Sequence, residues 1–154
     1  MINYSCSVFR NFHCQLGEGP VWDADNRRLS WIDSFARKIF IMDWESQNVR
    51  EYSAPGVIGN FAPSGNDKAL ASLEDGVHLF DYREGTFEFW HNPELGITGN
   101  RFNDGKADPA GRFVFGSMSL AANDGISDAP PSGALYILEG KKCRRLAKDI
   151  TNSN

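Results

Sequence analysis

The sequence predicts an all-β protein of the β-propeller class, and three observations support this prediction. Fifteen glycines, seven prolines and nineteen aromatic residues among 154 favour strands joined by tight turns. Apolar residues recur in short alternating runs, and no stretch has the periodicity of an amphipathic helix. A four-strand pattern then repeats along the chain every 40 to 45 residues, which is typical of propeller blades.

The repeat emerges when three segments of the chain are aligned. Each segment begins with two strands joined by a turn and ends with an apolar strand, a polar turn and a last strand. Trp22, Ala62 and Ala107 occupy corresponding positions, spaced by 40 and then 45 residues. We therefore expect a single partial propeller domain over residues 1–154, with a β-sandwich or a small barrel as the alternative. The predicted blades are 16–58, 59–98 and 99–150, and the predicted outer strand segment is 3–15.

The number of repeats predicts an open ring. Closed propellers typically have about four to eight blades, so three blades leave sheet edges exposed on both flanks. We expect these open edges to allow self-association of the chain. The third repeat also contains a loop rich in Gly, Asp, Asn and Pro, from Leu120 to Ser132, which we predict to be a lid over one face.

Composition and charge exclude several classes of partner. The net charge of −4 and the absence of a long basic cluster argue against nucleic-acid binding. No apolar run approaches the roughly 18–20 residues that would cross a bilayer, so we expect no membrane partner. Three cysteines without a Cys-x-x-Cys pair, and an N-terminus without a signal-peptide pattern, predict a cytoplasmic protein with reduced thiols.

Three polar clusters are candidates for function. Glu18 stands between two glycines just before a strand, where it is either a ligand-binding carboxylate or an exposed residue of a turn. Strand alternation places Arg101 and Asn103 on the same side, a pairing that suits a ligand with hydroxyls or a carbonyl. Asn103-Asp104-Gly105 also fits a tight turn, and the polar end 149–154 fits a frayed terminus.

These clusters, in this order and at these separations, resemble the regucalcin–gluconolactonase family, which includes the luciferin-regenerating enzymes. The resemblance rests on Gly-Glu-Gly-Pro-Val-Trp-Asp at 17–23, on Asn-Arg-Phe-Asn-Asp-Gly-Lys-Ala-Asp-Pro-Ala-Gly-Arg at 100–112, and on Phe-Gly-Ser-Met at 115–118. It covers essentially the whole chain but only about the N-terminal half of a family member. It implies a six-bladed propeller with a divalent metal ion in the central channel.

The resemblance also implies a function and a set of site residues. Glu18 and Asn154 match metal ligands of the family, and Arg101 and Asn103 match its substrate-binding pair. Oxygen ligands of this kind suit Ca²⁺, Mg²⁺ or Mn²⁺, with Zn²⁺ as a further candidate. The implied reaction is hydrolysis of a sugar lactone by water activated at the metal.

Two departures from the family pattern qualify this expectation. Ser119-Leu120-Ala121 stands where some members carry acidic residues, one of which touches substrate. The family's base, an aspartate, belongs to a later blade, so no catalytic residue is assigned within this chain and we expect low activity from it alone. The alternative function is a non-enzymatic propeller that binds calcium, regulates or binds other proteins.

Overall fold

The computed structural model describes residues 4–124 and 130–154, and the strands within them form three four-stranded antiparallel sheets. In each sheet the strand order follows the chain, as in a meander. The first sheet contains β1 (Gly17–Asp23), β2 (Arg28–Asp33), β3 (Lys38–Asp43) and β4 (Val49–Ser53). The second contains β5 (Ile58–Ser64), β6 (Lys68–Leu73), β7 (Gly76–Asp81) and β8 (Phe87–His91). The third contains β9 (Asn100–Ala107), β10 (Phe113–Ser119), β11 (Gly133–Glu139) and β12 (Lys142–Ile150).

This architecture confirms the predicted all-β class with three four-stranded units. A hairpin turn at 108–111 joins β9 to β10, and in it the amides of Ala110 and Arg112 each donate to Asp108 Oδ1 at 2.9 Å. The tight turn that Asn103-Asp104-Gly105 also fitted is absent, since these residues lie inside β9. None of the helices within the described ranges has the length and apolar character needed to cross a membrane.

The first strand of each sheet lies at the centre of the assembly. β5 contacts both β1 and β9, so the three first strands run side by side. Gly59 makes the approach of β5 to β9 close, because a Cβ there would lie 2.7 Å from the carbonyl oxygen of Phe102. Ser72 Oγ donates to the carbonyl oxygen of Asn103 at 3.2 Å and ties the second sheet to the third.

Two apolar cores fill the spaces between neighbouring sheets. Alternation along each strand presents one set of side chains to each face, and the apolar sets meet between the sheets. The core between the first and second sheets includes Ile32, Ile39, Ile41, Ile58, Phe61, Leu73, Phe80 and Tyr82. The core between the second and third sheets includes Ala62, Val77, Phe102, Phe113, Phe115, Tyr136 and Leu138.

The N-terminal segment differs from the outer strand expected at 3–15. Residues 4–15 form no strand, and instead they run over the flank of the first sheet that faces away from the second. Phe9 stacks on Trp44 with ring centroids 5.3 Å apart, and Phe12 meets Trp31 edge-on at 4.9 Å. Contact with the apolar flank of the first sheet removes part of this aromatic surface from water, which an isolated strand without a partner would not do.

The predicted lid lies partly outside the described residues. Leu120–Asn123 form a one-turn helix, α1, whose N-cap is Ser119, and residues 125–129 are not described. A lid at Leu120 to Ser132 therefore stays a prediction. Asp149, near the end of β12, has a left-handed backbone with φ of 61°, and the last residues, 151–154, then return across the third sheet.

Candidate functional site

β-bulges stand beside the polar residues on all three central strands. The pairing of β1 with β2 shifts between Glu18 and Val21, and the pairing of β5 with β6 shifts between Ile58 and Asn60. On β9, two residues, Asn103 and Asp104, stand opposite the single Gly116 of β10. A bulge bends a strand and redirects its side chains. The bulges thus occur where the regular strand pairing is interrupted and polar side chains are directed toward the centre of the three sheets.

One central pocket brings together residues from all three sheets and from the end of the chain. Glu18 of β1, Asn60 of β5, Asp104 of β9 and Asn154 line it. Gly19 follows Glu18 with a left-handed backbone, φ of 58°, which a glycine adopts without strain and which forms part of the β1 bulge. The two residues expected to bind metal, Glu18 and Asn154, therefore share a pocket although they are far apart in sequence.

Asn60 is the residue of this pocket that sequence reasoning did not identify. It is 2% exposed, and its Nδ2 donates to the carbonyl oxygen of Gly105. Its Oδ1 is buried and finds no hydrogen-bond partner among the described residues. A buried amide oxygen without a partner costs free energy, on the order of 1–3 kcal/mol, unless something else binds it. The sequence feature that could have identified Asn60 is a polar residue at the third position of β5, beside apolar neighbours.

Three hydrogen bonds within the chain hold the side chain of Asn103. Its Oδ1 accepts from Arg101 Nη1 at 3.0 Å, which confirms that these two side chains lie on the same side of the strand. Its Nδ2 donates to Asn152 Oδ1 at 2.9 Å and to the carbonyl oxygen of Ser153 at 2.8 Å. An amide offers two N–H donors and two lone pairs, so one lone pair of Oδ1 remains for a ligand.

Arg101 keeps more of its donors available than Asn103 does. Its Nη1 bonds the carbonyl oxygen of Phe102 and Oδ1 of Asn103, while Nε and Nη2 have no hydrogen-bond partner among residues 4–124 and 130–154. Burial lowers the pKa of Arg101, and the negative charges of Glu18 and Glu74 oppose that change. The guanidinium stays charged, because its ordinary pKa is far above neutral, and it lies in the field of Glu18.

The C-terminal residues reach the pocket along a defined route. The amide of Ser119 donates to the carbonyl oxygen of Thr151 at 3.0 Å, and the Asn103 side chain holds the next two residues. Ser153 is 8% exposed and packs against Gly116, where any Cβ would overlap its side chain. The frayed terminus that the sequence also fitted is therefore not found, and the route ends with Asn154 in the central pocket.

The donor set of the central pocket fits a hard divalent cation. Glu18 and Asp104 supply carboxylates, and Asn60 and Asn154 supply amide oxygens, one of them buried without a partner. Oxygen donors of this kind suit Ca²⁺, Mg²⁺ or Mn²⁺ better than softer metals. In the part of the chain that the structure describes, no group of three or more His, Cys, Asp and Glu side chains could hold a metal ion. Any cation here would therefore depend on the asparagines as well.

A Bacillus subtilis protein provisionally named sugar lactone lactonase YvrE is 32% identical over 105 residues, covering 68% of this chain and 36% of that protein. Regucalcin of Pongo abelii is 28% identical over 137 residues, covering 89% of this chain and 45% of that protein.

Solved structures show the same relationship. A calcium-binding protein, regucalcin, from Agrobacterium tumefaciens superposes with a TM-score of 0.77 at 26% identity, covering 89% of this chain and 44% of that one. A luciferin-regenerating enzyme gives a TM-score of 0.79 at 27% identity, covering 90% and 47%. Both similarities confirm the regucalcin-like propeller fold of this chain.

The chain spans between 36% and 47% of the lengths of these four proteins. Within that span the match is continuous, because the sequence profile of the SMP-30/Gluconolactonase/LRE-like region covers residues 16–154. The matched region includes the bulged strands β1, β5 and β9 and the C-terminal route to the central pocket. The chain belongs to the SMP-30/gluconolactonase/LRE-like family.

Proposed function

We propose that this chain carries part of a sugar-lactone hydrolase site, in which a divalent cation binds in the central pocket. Glu18 and Asn154 are its proposed ligands, and Asn60 Oδ1 is an additional candidate. The observation that carries the proposal is the meeting of Glu18 and Asn154 in one pocket with a buried, unpartnered amide oxygen. The family membership and the name of the B. subtilis relative support the choice of a sugar lactone as substrate.

Arg101 is the proposed substrate-binding residue. Its unpartnered Nε–H and Nη2–H groups are suited to the carbonyl and hydroxyl oxygens of a lactone, since guanidinium groups form strong charge-assisted hydrogen bonds. Asn103 fixes the position of Arg101 through Oδ1 and keeps one lone pair for a substrate hydroxyl. A cation in the pocket would supply Lewis-acid polarisation of a carbonyl and a lowered pKa of bound water.

No residue of this chain is proposed as the general base. The family resemblance places that aspartate in a later blade, so we propose that residues 1–154 bind cation weakly and hydrolyse lactone slowly by themselves. The similar A. tumefaciens regucalcin is described as a calcium-binding protein, and Ca²⁺ is therefore one of the cations to test, beside Mn²⁺, Mg²⁺ and Zn²⁺.

Titration of the 154-residue chain with Mn²⁺, followed by water-proton relaxation, tests the cation site. We expect saturable weak binding that the variant Glu18→Gln weakens by at least about tenfold, because the variant removes a carboxylate ligand. Glu45→Gln is the matched control, since Glu45 is an exposed carboxylate paired with Arg27 on the surface. Equal affinities for Glu18→Gln and the wild-type chain would contradict the proposed ligand.

Hydrolysis of a gluconolactone in the presence of Mn²⁺ or Ca²⁺ tests the reaction. We expect a slow rate above the spontaneous one, which Arg101→Gln reduces, with Arg83→Gln as the surface control. Saturable cation binding combined with a complete lack of catalysis would favour the non-enzymatic calcium-binding alternative. Self-association through the open flanks stays a prediction, and sedimentation at high concentration tests it.

A further inference from the structure

A second polar pocket lies between the first and second sheets, and none of its lining residues belongs to the central pocket. It has a volume of about 350 Å³, and Arg28, Asp43, Arg50 and Tyr82 are among its lining residues. Arg28 begins β2, Arg50 lies on β4, and Tyr82 follows β7. Side chains of two sheets therefore meet here, at the edge of the first apolar core.

Two hydrogen-bond donors in this pocket are buried without a partner. Tyr82 is 6% exposed, and its hydroxyl has no hydrogen-bond partner in the described part of the chain. Arg28 Nε is buried and unpartnered in the same way. Buried polar groups without partners are rare in folded proteins and each one is costly, so a pair in one pocket requires an explanation. Both groups would be satisfied by an acceptor from outside the chain.

The remaining contacts hold these two donors in place. Arg28 Nη2 donates to Asp23 Oδ2 and to the carbonyl oxygen of Asn66, each at 3.0 Å. The guanidinium carbon of Arg28 lies 4.3 Å from the centroid of the Tyr82 ring, a cation–π contact that sets the two groups side by side. Burial raises the pKa of Tyr82, and the charge of Arg28 offsets this rise only in part. The hydroxyl therefore stays protonated and can donate a hydrogen bond.

Among the described residues, the charges around the pocket leave Arg50 outside any salt bridge, with Asp43 as the nearby carboxylate. Asp23 pairs with Arg28 at 3.0 Å, and Asp43 Oδ1 accepts from both the amide and the hydroxyl of Ser46 at 2.7 Å. Arg50 makes no salt bridge within the described ranges, although it is close enough to Asp43 to contribute to lowering the pKa of that carboxyl after the Ser46 hydrogen bonds. Arg50 is therefore able to turn toward a ligand in the pocket.

The geometry points to a binding site for a small oxyanion, a phosphate or a carboxylate group, between the first two sheets. Its oxygens would accept hydrogen bonds from Arg28 Nε and from the Tyr82 hydroxyl, and Arg50 would supply the balancing positive charge. Unpartnered donors converge on the pocket beside the cationic Arg50, and these favour an anionic acceptor over a neutral polyol. Such charge-assisted contacts are roughly twice as strong as neutral hydrogen bonds.

Thermal unfolding of the 154-residue chain in inorganic phosphate, at constant ionic strength with chloride as the reference anion, tests this site. We expect phosphate to raise the Tm of the wild-type chain, because a ligand of the folded state stabilises it. We expect Tyr82→Phe to fold, since it removes only an unpartnered hydroxyl, and to have an equal or higher Tm without phosphate. Its affinity for phosphate, followed by NMR shifts, should be about tenfold lower.

Three further variants separate a specific binding site from a general effect of charge. Arg50→Gln should weaken phosphate binding by about two- to fivefold, as expected for a partly exposed ionic contact. Arg83→Gln removes the same charge from an exposed arginine paired with Asp67, and Tyr4→Phe removes an exposed hydroxyl, so both should bind phosphate like the wild-type chain. Phosphate affinity that is unchanged in both Tyr82→Phe and Arg50→Gln would overturn the site.

Parallel titrations identify the class of ligand. Acetate and gluconate carry the carboxylate, phosphate carries the tetrahedral oxyanion, and glycerol serves as a neutral polyol. We expect at least one of the anions to shift the amide signals of Arg28 and Tyr82, and we expect the Tyr82→Phe substitution to weaken that binding. Saturable binding of glycerol with no response to any anion, or no response to any of these compounds, would overturn it.

Discussion

The two outer flanks of the molecule are covered in different ways. Residues 4–15 lie across the flank of the first sheet and contact it with aromatic rings. Of these rings, Phe9 and Phe12 remain 55% and 40% exposed. On the third sheet, residues 151–154 cross the flank through hydrogen bonds to Asn103 and Ser119, and Ser153 is almost completely buried. The first cover is apolar and half exposed, and the second is polar and tightly bound.

The difference indicates which end of the chain has a fixed position at the central pocket. Aromatic contacts tolerate a range of positions, because the hydrophobic effect has no direction. Amide hydrogen bonds require defined distances and angles, so the Asn103 network fixes the residues that it holds. The C-terminal route therefore places Asn154 in the same pocket as Glu18, whereas the N-terminal segment mainly shields apolar surface.

The largest effect is expected from Asn103→Leu. This variant removes three hydrogen bonds and leaves the carbonyl oxygen of Ser153 without its donor, which we expect to lower the free energy of unfolding by about 2–3 kcal/mol. Cation affinity should fall by at least about tenfold as Asn154 loses its position. Urea denaturation and Mn²⁺ titration measure the two effects. Asn66→Leu, in the exposed turn after β5, is the control, and equal losses in both variants would refute the special role of Asn103.

A smaller effect is expected from Asp33→Asn, on the N-terminal side. Burial raises the pKa of Asp33, but hydrogen bonds from the amides of Ala36, Gln15 and Leu16 outweigh it and hold that pKa below its ordinary value near 3.8. The lowered pKa stabilises the fold above pH 3.8, and this contribution disappears as the pH falls through the folded-state value. We expect Asp33→Asn to cost about 1–2 kcal/mol at pH 7.

The pH dependence distinguishes this prediction from a simple packing defect. The stability difference between the wild-type chain and Asp33→Asn should narrow as the pH falls below about 4, because the wild-type carboxylate becomes protonated. Urea unfolding at pH 7, 4 and 3 measures it. A difference that stays constant over this range would show that the charge of Asp33 does not stabilise the fold.

The smallest effect is expected from Phe12→Ala. Phe12 meets Trp31 and Phe40 edge-on, and an aromatic pair is worth about 0.5–1.5 kcal/mol, so we expect a loss of about 1 kcal/mol for this partly exposed ring. Limited proteolysis should cut residues 4–15 faster in the variant. Cation affinity should stay within about twofold of the wild-type value, and a tenfold loss would mean that the N-terminal cover also shapes the site.

The sequence predicted the strands better than the covers of the flanks. Alternating apolar residues and turn residues determine β-hairpins locally, so the three four-stranded units were predictable. The outer strand predicted at 3–15 is not formed by residues 4–15, because a strand needs a partner edge that local sequence does not reveal. The aromatic flank of the first sheet, which these residues cover instead, exists only in the folded chain.

The site was predictable only in part, for a similar reason. Glu18 stands out between two glycines, and alternation on one strand places Arg101 beside Asn103. Asn60 did not stand out, because its role depends on a bulge and on an unpartnered buried oxygen. The binding of the C-terminal residues by Asn103 joins positions some 50 residues apart, a contact that no local pattern encodes.

The role of the C-terminal residues in the proposed cation site is tested most directly by Mn²⁺ titration of three proteins. These are the wild-type chain, Gly116→Ala and the double variant Gly116→Ala with Ser153→Gly. A Cβ at position 116 would overlap the Ser153 side chain, so Gly116→Ala should displace the C-terminal residues without removing any polar group. We expect it to weaken Mn²⁺ binding about tenfold, and Ser153→Gly to restore most of the affinity by making room for the methyl group. No Mn²⁺ binding by the wild-type chain would contradict the proposed cation site. Equal binding by all three proteins would contradict the proposal that the C-terminal residues position it.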